Sequence, residues 1–145
     1  MYKHILLATD LSTETKKVIK KAKDLAEKLH AKLSIIHILD YNPLAMSGSE
    51  SIASGMSIDA ELMNTMEQQT RKKLNALAKL LNIKQDRCYI EYGSIKHTVV
   101  EKAEKIKADL IVIGSHGRHG PALLLGSSAN AILHVAKCDV LAVRV

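Results

Sequence analysis

The sequence predicts an α/β fold: an open, parallel five-stranded sheet with strand order 3-2-1-4-5 and helices on both faces. Short apolar runs alternate along the chain with longer stretches whose apolar residues recur every three or four positions. That alternation is typical of repeated strand–helix–strand units, whose right-handed crossovers produce a parallel sheet. Several of the short runs are almost wholly apolar, as expected for strands covered on both faces. The length of 145 residues fits a single domain over 1–145.

The first half of the chain is predicted to hold two strands and two helices. An aliphatic run at 5–8 is the first strand, and Ser12 or Thr13 is expected to cap the following helix. The second strand covers 33–39, and the Asn, Pro, Ser and Gly residues from 40 to about 57 predict a long mobile loop. Apolar residues at helical spacing form the faces expected to pack on the sheet. They are Val18, Ile19, Ala22, Leu25, Ala26 and Leu29 in the first helix, and Ile58, Leu62, Met66, Leu74, Leu77 and Leu81 in the second.

The second half is predicted to hold three strands and two shorter helices. Alternating residues at 88–92 indicate a third strand at an edge of the sheet, and the wholly apolar run at 110–113 indicates a central fourth strand. Gly93 and Ser94 open the helix between them. A glycine-bearing loop over 114–126 leads to the last helix, and the last strand is expected over 140–145. The helical stripes here are Ile95, Val99, Ala103 and Ile106, and then Ile132, Leu133 and Ala136.

The composition is that of an ordinary globular protein and argues against several function classes. Hydrophobic residues make up 47% of the chain, and no apolar run approaches the ~20 residues that span a bilayer. The formal charge is +6, but lysines alternate with acids, Phe and Trp are absent and only four Tyr occur, so we expect no specific nucleic-acid binding. The N-terminus has no signal-peptide pattern, which together with the cysteine content favours the cytoplasm. Cys88 and Cys138 are expected to be small buried hydrophobes, not a disulfide pair.

Polar and glycine residues follow the two strands that flank the predicted switch point, where open α/β sheets bind ligands. Thr9 and Asp10 follow the first strand, and Gly114-Ser115-His116-Gly117 follows the fourth. Asp10 can accept hydrogen bonds from an amine or a sugar hydroxyl, and the glycines let backbone N–H groups approach an anion. Gly126-Ser127-Ser128 begins the last helix, whose free N–H groups and dipole can hold a phosphate. The sequence therefore predicts a ligand crevice at this edge of the sheet.

Each of these motifs also has a purely structural interpretation. A glycine after a strand is common in turns, and Ser127-Ser128 before a helix is a routine cap. The chain has no P-loop pattern, nucleophile–base pair or paired carboxylates that would indicate an enzyme. His116 and His119 make only a weak zinc motif because a third ligand is missing. His37 is expected to be a hydrogen-bonded core histidine, and neither a catalytic residue nor a metal site is predicted.

Six segments spread over the chain carry a resemblance to a known family. They are Tyr2-Lys3-His4-Ile5-Leu6, Asp10-Leu11-Ser12, Ile36-His37-Ile38-Leu39-Asp40, Gly114-Ser115-His116-Gly117, Leu125-Gly126-Ser127-Ser128 and Cys138-Asp139-Val140-Leu141-Ala142-Val143. Together they resemble the universal stress protein family. The resemblance implies a Rossmann-like fold of the adenine nucleotide alpha hydrolase type and a cytoplasmic homodimer that supports stress resistance. It implies no defined enzyme activity beyond, at most, slow ATP hydrolysis.

The same resemblance implies an adenine nucleotide ligand, ATP or AMP, with or without Mg²⁺. Family members that bind ATP carry G-x2-G-x9-G-[ST], whereas here residues 118–125 place eight residues, not nine, between Gly117 and Gly126. By this likeness Asp10 and Ile38 flank the adenosine. The phosphates are held by Gly114, Ser115, His116, Gly117, Gly126 and Ser127, with Ala8, Ile113 and Ser128 beside them. The alternative is a family member that binds no nucleotide and acts as a protein-interaction module.

The C-terminal strand is the expected dimer interface. In the order 3-2-1-4-5 it lies at an edge, and an apolar edge with unpaired N–H and C=O groups tends to associate. Antiparallel pairing with the same strand of a second copy satisfies both edges through a two-fold axis. The interface residues are Val140, Leu141, Ala142, Val143, Arg144 and Val145. The alternative is a monomer whose edge is guarded by Arg144, the only charge in this run.

Overall fold

The computed structural model describes residues 1–39, 56–115 and 125–145, and in them five strands form one parallel sheet in the order β3-β2-β1-β4-β5. The strands are β1 (His4–Ala8), β2 (Lys32–Leu39), β3 (Cys88–Tyr92), β4 (Leu110–Gly114) and β5 (Asp139–Val143). The predicted fold class and strand order are confirmed, including the position of β3 at an edge. The predicted span of the last strand is wrong. Its partner β4 ends at Gly114, which pairs with Val143, so Arg144 and Val145 lie beyond the strand.

The helices of the described ranges are α1 (Lys16–Leu29), α2 (Met56–Leu80), α3 (Ile95–Lys105) and α4 (Ser127–Val135). A 3-10 turn at Thr13–Thr15 precedes α1, so the predicted cap is wrong: Ser12 precedes this turn, and its hydroxyl makes no capping bond. Residues 40–55 of the predicted mobile loop lie outside the described residues, and residues 56 and 57 already belong to α2. Over the part of the chain that the structure describes, no helix is both long and apolar enough to cross a membrane.

The sheet divides the apolar core into two halves, because alternate residues of each strand point to opposite faces. Ile5 and Leu7 of β1 pack with residues of α1 and α2 on one face. Leu6 of β1 and Ile111 of β4 pack with residues of α3 and α4 on the other face. All four side chains are completely buried. The two-sided burial explains why these strands are aliphatic along their whole length.

Polar contacts at the amino end of the strands fix the start of β1. The carboxylate of Asp109 accepts the backbone N–H groups of Lys3 (2.8 Å) and His4 (3.0 Å). The His4 ring contacts the carbonyl oxygen of Ile106 through Nδ1 (3.1 Å) and the hydroxyl of the fully buried Ser34 through Nε2 (2.8 Å). Burial is the largest influence on this ring and lowers the pKa of His4, although the bond to Ile106 acts in the opposite direction. His4 therefore serves the structure as a neutral ring.

The two cysteines are half-buried and free, which corrects the expectation that they are buried. Cys88 begins the edge strand β3, and Cys138 immediately precedes β5 at the other edge. An edge strand has a neighbour on one side only, so its side chains keep part of their exposure. Burial of the remaining part raises the pKa of both thiols, which keeps them protonated at neutral pH.

Candidate functional site

The carboxyl ends of β1 and β4 lie side by side at the switch point of the sheet. β1 pairs with β2 on one side and with β4 on the other. The helix that follows β1 packs on one face of the sheet, and the helix that follows β4 packs on the opposite face. The two connections therefore leave the sheet edge in opposite directions. A crevice between them is the usual place for a ligand in an open α/β sheet.

The loop after β1 presents the Asp10 carboxylate in a locally constrained turn. The N–H of Thr9 donates to the carbonyl of Ile36 (3.1 Å), which keeps the loop against β2. The N–H of Leu11 donates to Thr9 Oγ1 (3.0 Å), and the N–H of Ser12 donates to Asp10 Oδ1 (2.9 Å). Leu11 adopts a left-handed conformation with φ of 59°, which is uncommon for a non-glycine residue. One Asp10 oxygen thus holds the turn, while Oδ2 makes no hydrogen bond with a described residue.

His37 supports this loop from the neighbouring strand. Its Nδ1 lies 2.8 Å from the carbonyl oxygen of Thr9. A carbonyl oxygen only accepts, so Nδ1 carries the proton in this contact. The side chain is half-buried, so the predicted hydrogen bonding is present although the ring is not fully in the core. His37 therefore fixes the backbone at the base of the Asp10 turn.

Backbone hydrogen bonds of Ser115 connect the end of β4 with the end of β5 and with the residue before α4. Ser115, which is buried, donates its N–H to the carbonyl of Val143 at the end of β5 (2.8 Å). The carbonyl of Ser115 in turn accepts the N–H of Gly126. The backbone of Ser115 thus joins the end of β5 to the start of α4. The predicted site residues His116 and Gly117 lie outside the described residues, together with 118–124.

The start of α4 differs from the routine serine cap. Gly126 is the residue before the helix, with φ of −58° and ψ of 149°, and as a glycine it offers no side chain of its own to cap the first turn. Ser127 and Ser128 are the first two helical residues, exposed and half-buried respectively. The first N–H groups of a helix have no acceptor within the helix. The interpretation of the two serines as caps is therefore wrong.

Three apolar residues predicted for the site share one face of the sheet. Ala8, Ile38 and Ile113 lie near the carboxyl ends of β1, β2 and β4, on the side covered by α3 and α4. Ala8 and Ile113 are nearly buried, and Ile38 is half-buried. Gly114, the last residue of β4, follows directly and is half-exposed. Together these residues provide an apolar wall beside the polar loops.

Ser12 is a polar residue of this edge that the sequence analysis treated only as a cap. Its hydroxyl oxygen is buried and has no hydrogen-bond partner. A buried hydroxyl without a hydrogen-bond partner is energetically unfavourable, so the hydrogen-bonding capacity of Ser12 is left unsatisfied at this edge. Its position two residues after Asp10 was the only available sequence signal.

The residues described at this edge do not form a metal centre. Within 1–39, 56–115 and 125–145, no group of three or more His, Cys, Asp or Glu side chains could hold a metal ion. His116 and His119, the weak zinc motif of the sequence, lie outside these ranges.

The fold and this edge define a class of protein: a parallel α/β protein with polar loops at its switch point and a helix N-terminus beside them. The model of the universal stress protein family matches residues 1–144, and the chain belongs to this family. Two relatives come from Coxiella burnetii. The chain is 46% identical to universal stress protein A homolog 1 over 142 residues, which are 98% of this chain and 96% of the relative. It is 39% identical to universal stress protein A homolog 2 over 145 residues, 99% and 96% of the two chains.

Solved structures share the whole fold. Hypothetical protein MJ0577 has a TM-score of 0.81 and 26% identity, covering 100% of this chain and 97% of that chain. A universal stress protein in complex with cAMP has a TM-score of 0.61 and 26% identity, with coverage of 99% and 97%. UspA from Lactobacillus plantarum has a TM-score of 0.69 and 25% identity, with coverage of 99% and 98%.

Proposed function

We propose that this universal stress protein binds an adenine nucleotide, ATP or AMP, at the carboxyl edge of β1 and β4, and acts in stress resistance in the cytoplasm. The observation that carries the proposal is the start of α4. A glycine, not a capping side chain, precedes the helix, and Ser115 holds that glycine at the end of β4. The first-turn N–H groups of a helix that begins beside a switch point are a phosphate-binding arrangement.

The remaining residues complete the proposed site. Asp10 accepts hydrogen bonds from the ribose or the adenine through the oxygen that does not hold its own turn. Ile38, with Ala8 and Ile113, provides apolar contact for the adenosine. Gly114, Ser115, His116, Gly117, Gly126, Ser127 and Ser128 surround the phosphates. Mg²⁺, when present, enters with the phosphates, since it is usually held by phosphate and water oxygens.

A relative supports the choice of ligand. The universal stress protein solved in complex with cAMP shares 26% of its residues with this chain over nearly its full length. Cyclic AMP contains the adenine, ribose and phosphate that the proposed site is expected to contact.

The test is calorimetric titration of ATP and AMP into wild-type protein and Gly126→Val. The φ of Gly126 is one that any residue adopts, so the substitution adds bulk at the phosphate position without straining the backbone. We expect it to weaken binding by about 2 kcal/mol or more, because the phosphate can no longer approach the N–H groups. Ala131→Val creates the same side chain within α4 by adding two carbon atoms and is the control, which should bind like wild type.

The second candidate function is a protein-interaction module that binds no nucleotide. It is favoured by one observation, the eight residues between Gly117 and Gly126 where nucleotide-binding relatives have nine. Wild-type protein that gives neither heat nor a melting shift with millimolar ATP and Mg²⁺ would establish this second candidate. A ligand at about 100 times its Kd should stabilise the fold by roughly 2.7 kcal/mol.

A homodimer through β5 is the proposed assembly. Among the described residues β5 pairs with β4 only, so its outer edge is unpaired. Val140, Leu141, Ala142 and Val143 are all half-exposed although they are apolar. Antiparallel pairing of two such edges would cover them and satisfy their N–H and C=O groups. Arg144 and Val145 would then flank the paired strands.

A further inference from the structure

A second cleft lies at the amino end of the strands, away from the proposed nucleotide site. It has a volume of about 490 Å³ and opens where the C-terminal ends of α1 and α2 approach the start of β2. Sites for small organic ligands commonly have volumes of about 300–1,000 Å³. The eight residues of β2 separate the two ends of the sheet by roughly 25 Å. A ligand of ordinary size therefore cannot reach both sites.

The floor of this cleft is apolar. It is formed by Ala26 of α1, Leu33 of β2, and Leu81 and Ile83 after α2. Each of these side chains is between 6% and 8% exposed, so they form the outer surface of the core. A floor of this kind favours contact with a hydrocarbon group.

The two helix ends that frame the cleft close in the same way. His30 after α1 and Asn82 after α2 both adopt left-handed φ values, 53° and 55°. The N–H of Ala31 donates to Ala26 O, and the N–H of Ile83 donates to Ala78 O, at 2.9 and 2.8 Å. These bonds complete the Schellman pattern at both ends.

The charged side chains that line the cleft are two cations, Lys23 and Arg87, and one carboxylate, Glu27. Arg87 is half-buried and makes no ion pair or side-chain hydrogen bond with any residue that the structure describes. Lys23 makes only a long, exposed contact of 3.8 Å with Glu27, which leaves it able to turn to another partner. The planar fork of a guanidinium matches a carboxylate or phosphate.

We propose that this cleft binds a small organic anion. A carboxylate or phosphate group pairs with Arg87 and Lys23, and an apolar body covers Leu81 and Ile83. The site is independent of the nucleotide site and remains whether or not the chain binds ATP.

The test is an amide NMR titration with octanoate, whose carboxylate and short hydrocarbon chain match the cleft. Saturable shifts are expected at the amides of Ala31, Asn82 and Arg87. Arg87→Gln should raise the Kd roughly tenfold or more, the loss expected for a charge-assisted hydrogen bond. Lys20→Gln removes an exposed charge from α1 outside the cleft and should leave the Kd unchanged. Octyl phosphate should shift the same amides, since both anions share the proposed chemistry.

Three results would overturn the proposal. The first is the absence of saturable shifts at these amides with either anion. The second is equal binding of octylammonium, which has the same hydrocarbon chain and the opposite charge. The third is an unchanged octanoate Kd in Arg87→Gln. The amides of Leu11 and Ser127 report on the nucleotide site and those of Ala31 and Arg87 on the cleft, so a failure of nucleotide binding and a failure of the cleft are read from different amides.

Discussion

Gly93, between β3 and α3, has a backbone conformation that other residues rarely adopt. Its φ is 135°, and a Cβ atom added there would lie 2.8 Å from the Thr98 hydroxyl oxygen. Gly93→Ala therefore introduces two costs, backbone strain and a close contact. A non-glycine residue in such a region costs of the order of 1–3 kcal/mol. The contact costs less, because the Thr98 side chain can rotate away.

We expect Gly93→Ala to lower the free energy of unfolding by about 2 kcal/mol, which corresponds to a Tm decrease of roughly 4–8 °C for a domain of this size. Urea denaturation and thermal melts followed by circular dichroism measure both quantities. The matched control is Gly126→Ala at a glycine with φ of −58°, which should change stability by less than about 1 kcal/mol.

A double-variant cycle with Thr98→Ala separates the two costs. If strain dominates, Gly93→Ala is nearly as costly in the Thr98→Ala background as in wild type. A cost that disappears in that background would refute the assignment to backbone strain. Equal stability of Gly93→Ala and wild type would refute the reasoning altogether.

Three further predictions concern acid stability, nucleic acid and assembly. The pKa of His4 is lowered in the folded state, so the unfolded chain binds more protons, and stability falls as pH drops below about 6.5 towards that lowered pKa. The midpoint of urea denaturation should therefore fall less over this pH range in His4→Gln than in wild type. The same pH dependence of the midpoint in both proteins would contradict the assignment. Mobility-shift assays at physiological salt should show no sequence-selective DNA binding, because basic residues alternate with acids, whereas weak binding at low salt is compatible with the charge of +6. Ala142→Pro should convert the proposed dimer to monomer or aggregate, because it removes an N–H donor from β5, whereas Ala142→Ser keeps the donor and should leave the proposed dimer intact. Light scattering that gives a concentration-independent mass near 15.9 kDa for wild type would contradict the dimer.

The sheet was predictable because strands that are buried on both faces have almost wholly apolar sequences. The runs at 5–8 and 110–113 are aliphatic without interruption, and β1 and β4 indeed lie inside the sheet. The end of β5 was not predictable in the same way. The apolar run continues to Val145, but a strand ends where its neighbour ends, and that is a property of β4.

The meeting of the candidate site residues at one edge of the sheet was predictable, and the detail of their contacts was less so. Asp10 and Ser115 follow adjacent strands, and the strand order brings those strands' ends together. The start of α4 was ambiguous because glycine and serine both favour the position before a helix. Gly126 occupies that position in the structure, where its N–H donates to the carbonyl of Ser115, a contact made only in the folded chain.

The amino-end contacts had no sequence signal at all. Asp109 binds the N–H groups of Lys3 and His4, which lie more than a hundred positions earlier in the chain. A lone aspartate before a strand is read as an ordinary loop residue. Only the register of β1 against β4 brings its carboxylate to the start of β1.

The central position of β1 has a consequence for the order in which the chain is made. Of the five strands, β1 is synthesised first, and β2, its partner on one side, follows from residue 32. Its partner on the other side, β4, begins only at residue 110. One edge of β1 therefore stays unpaired while about eighty further residues are synthesised, which takes roughly 4–16 s at ordinary rates of translation. During that interval Ile5, Leu6 and Leu7 form an aliphatic edge with no neighbour. The nascent chain is therefore most prone to aggregation before β4 emerges, and Asp109, which binds the start of β1, is made immediately before β4.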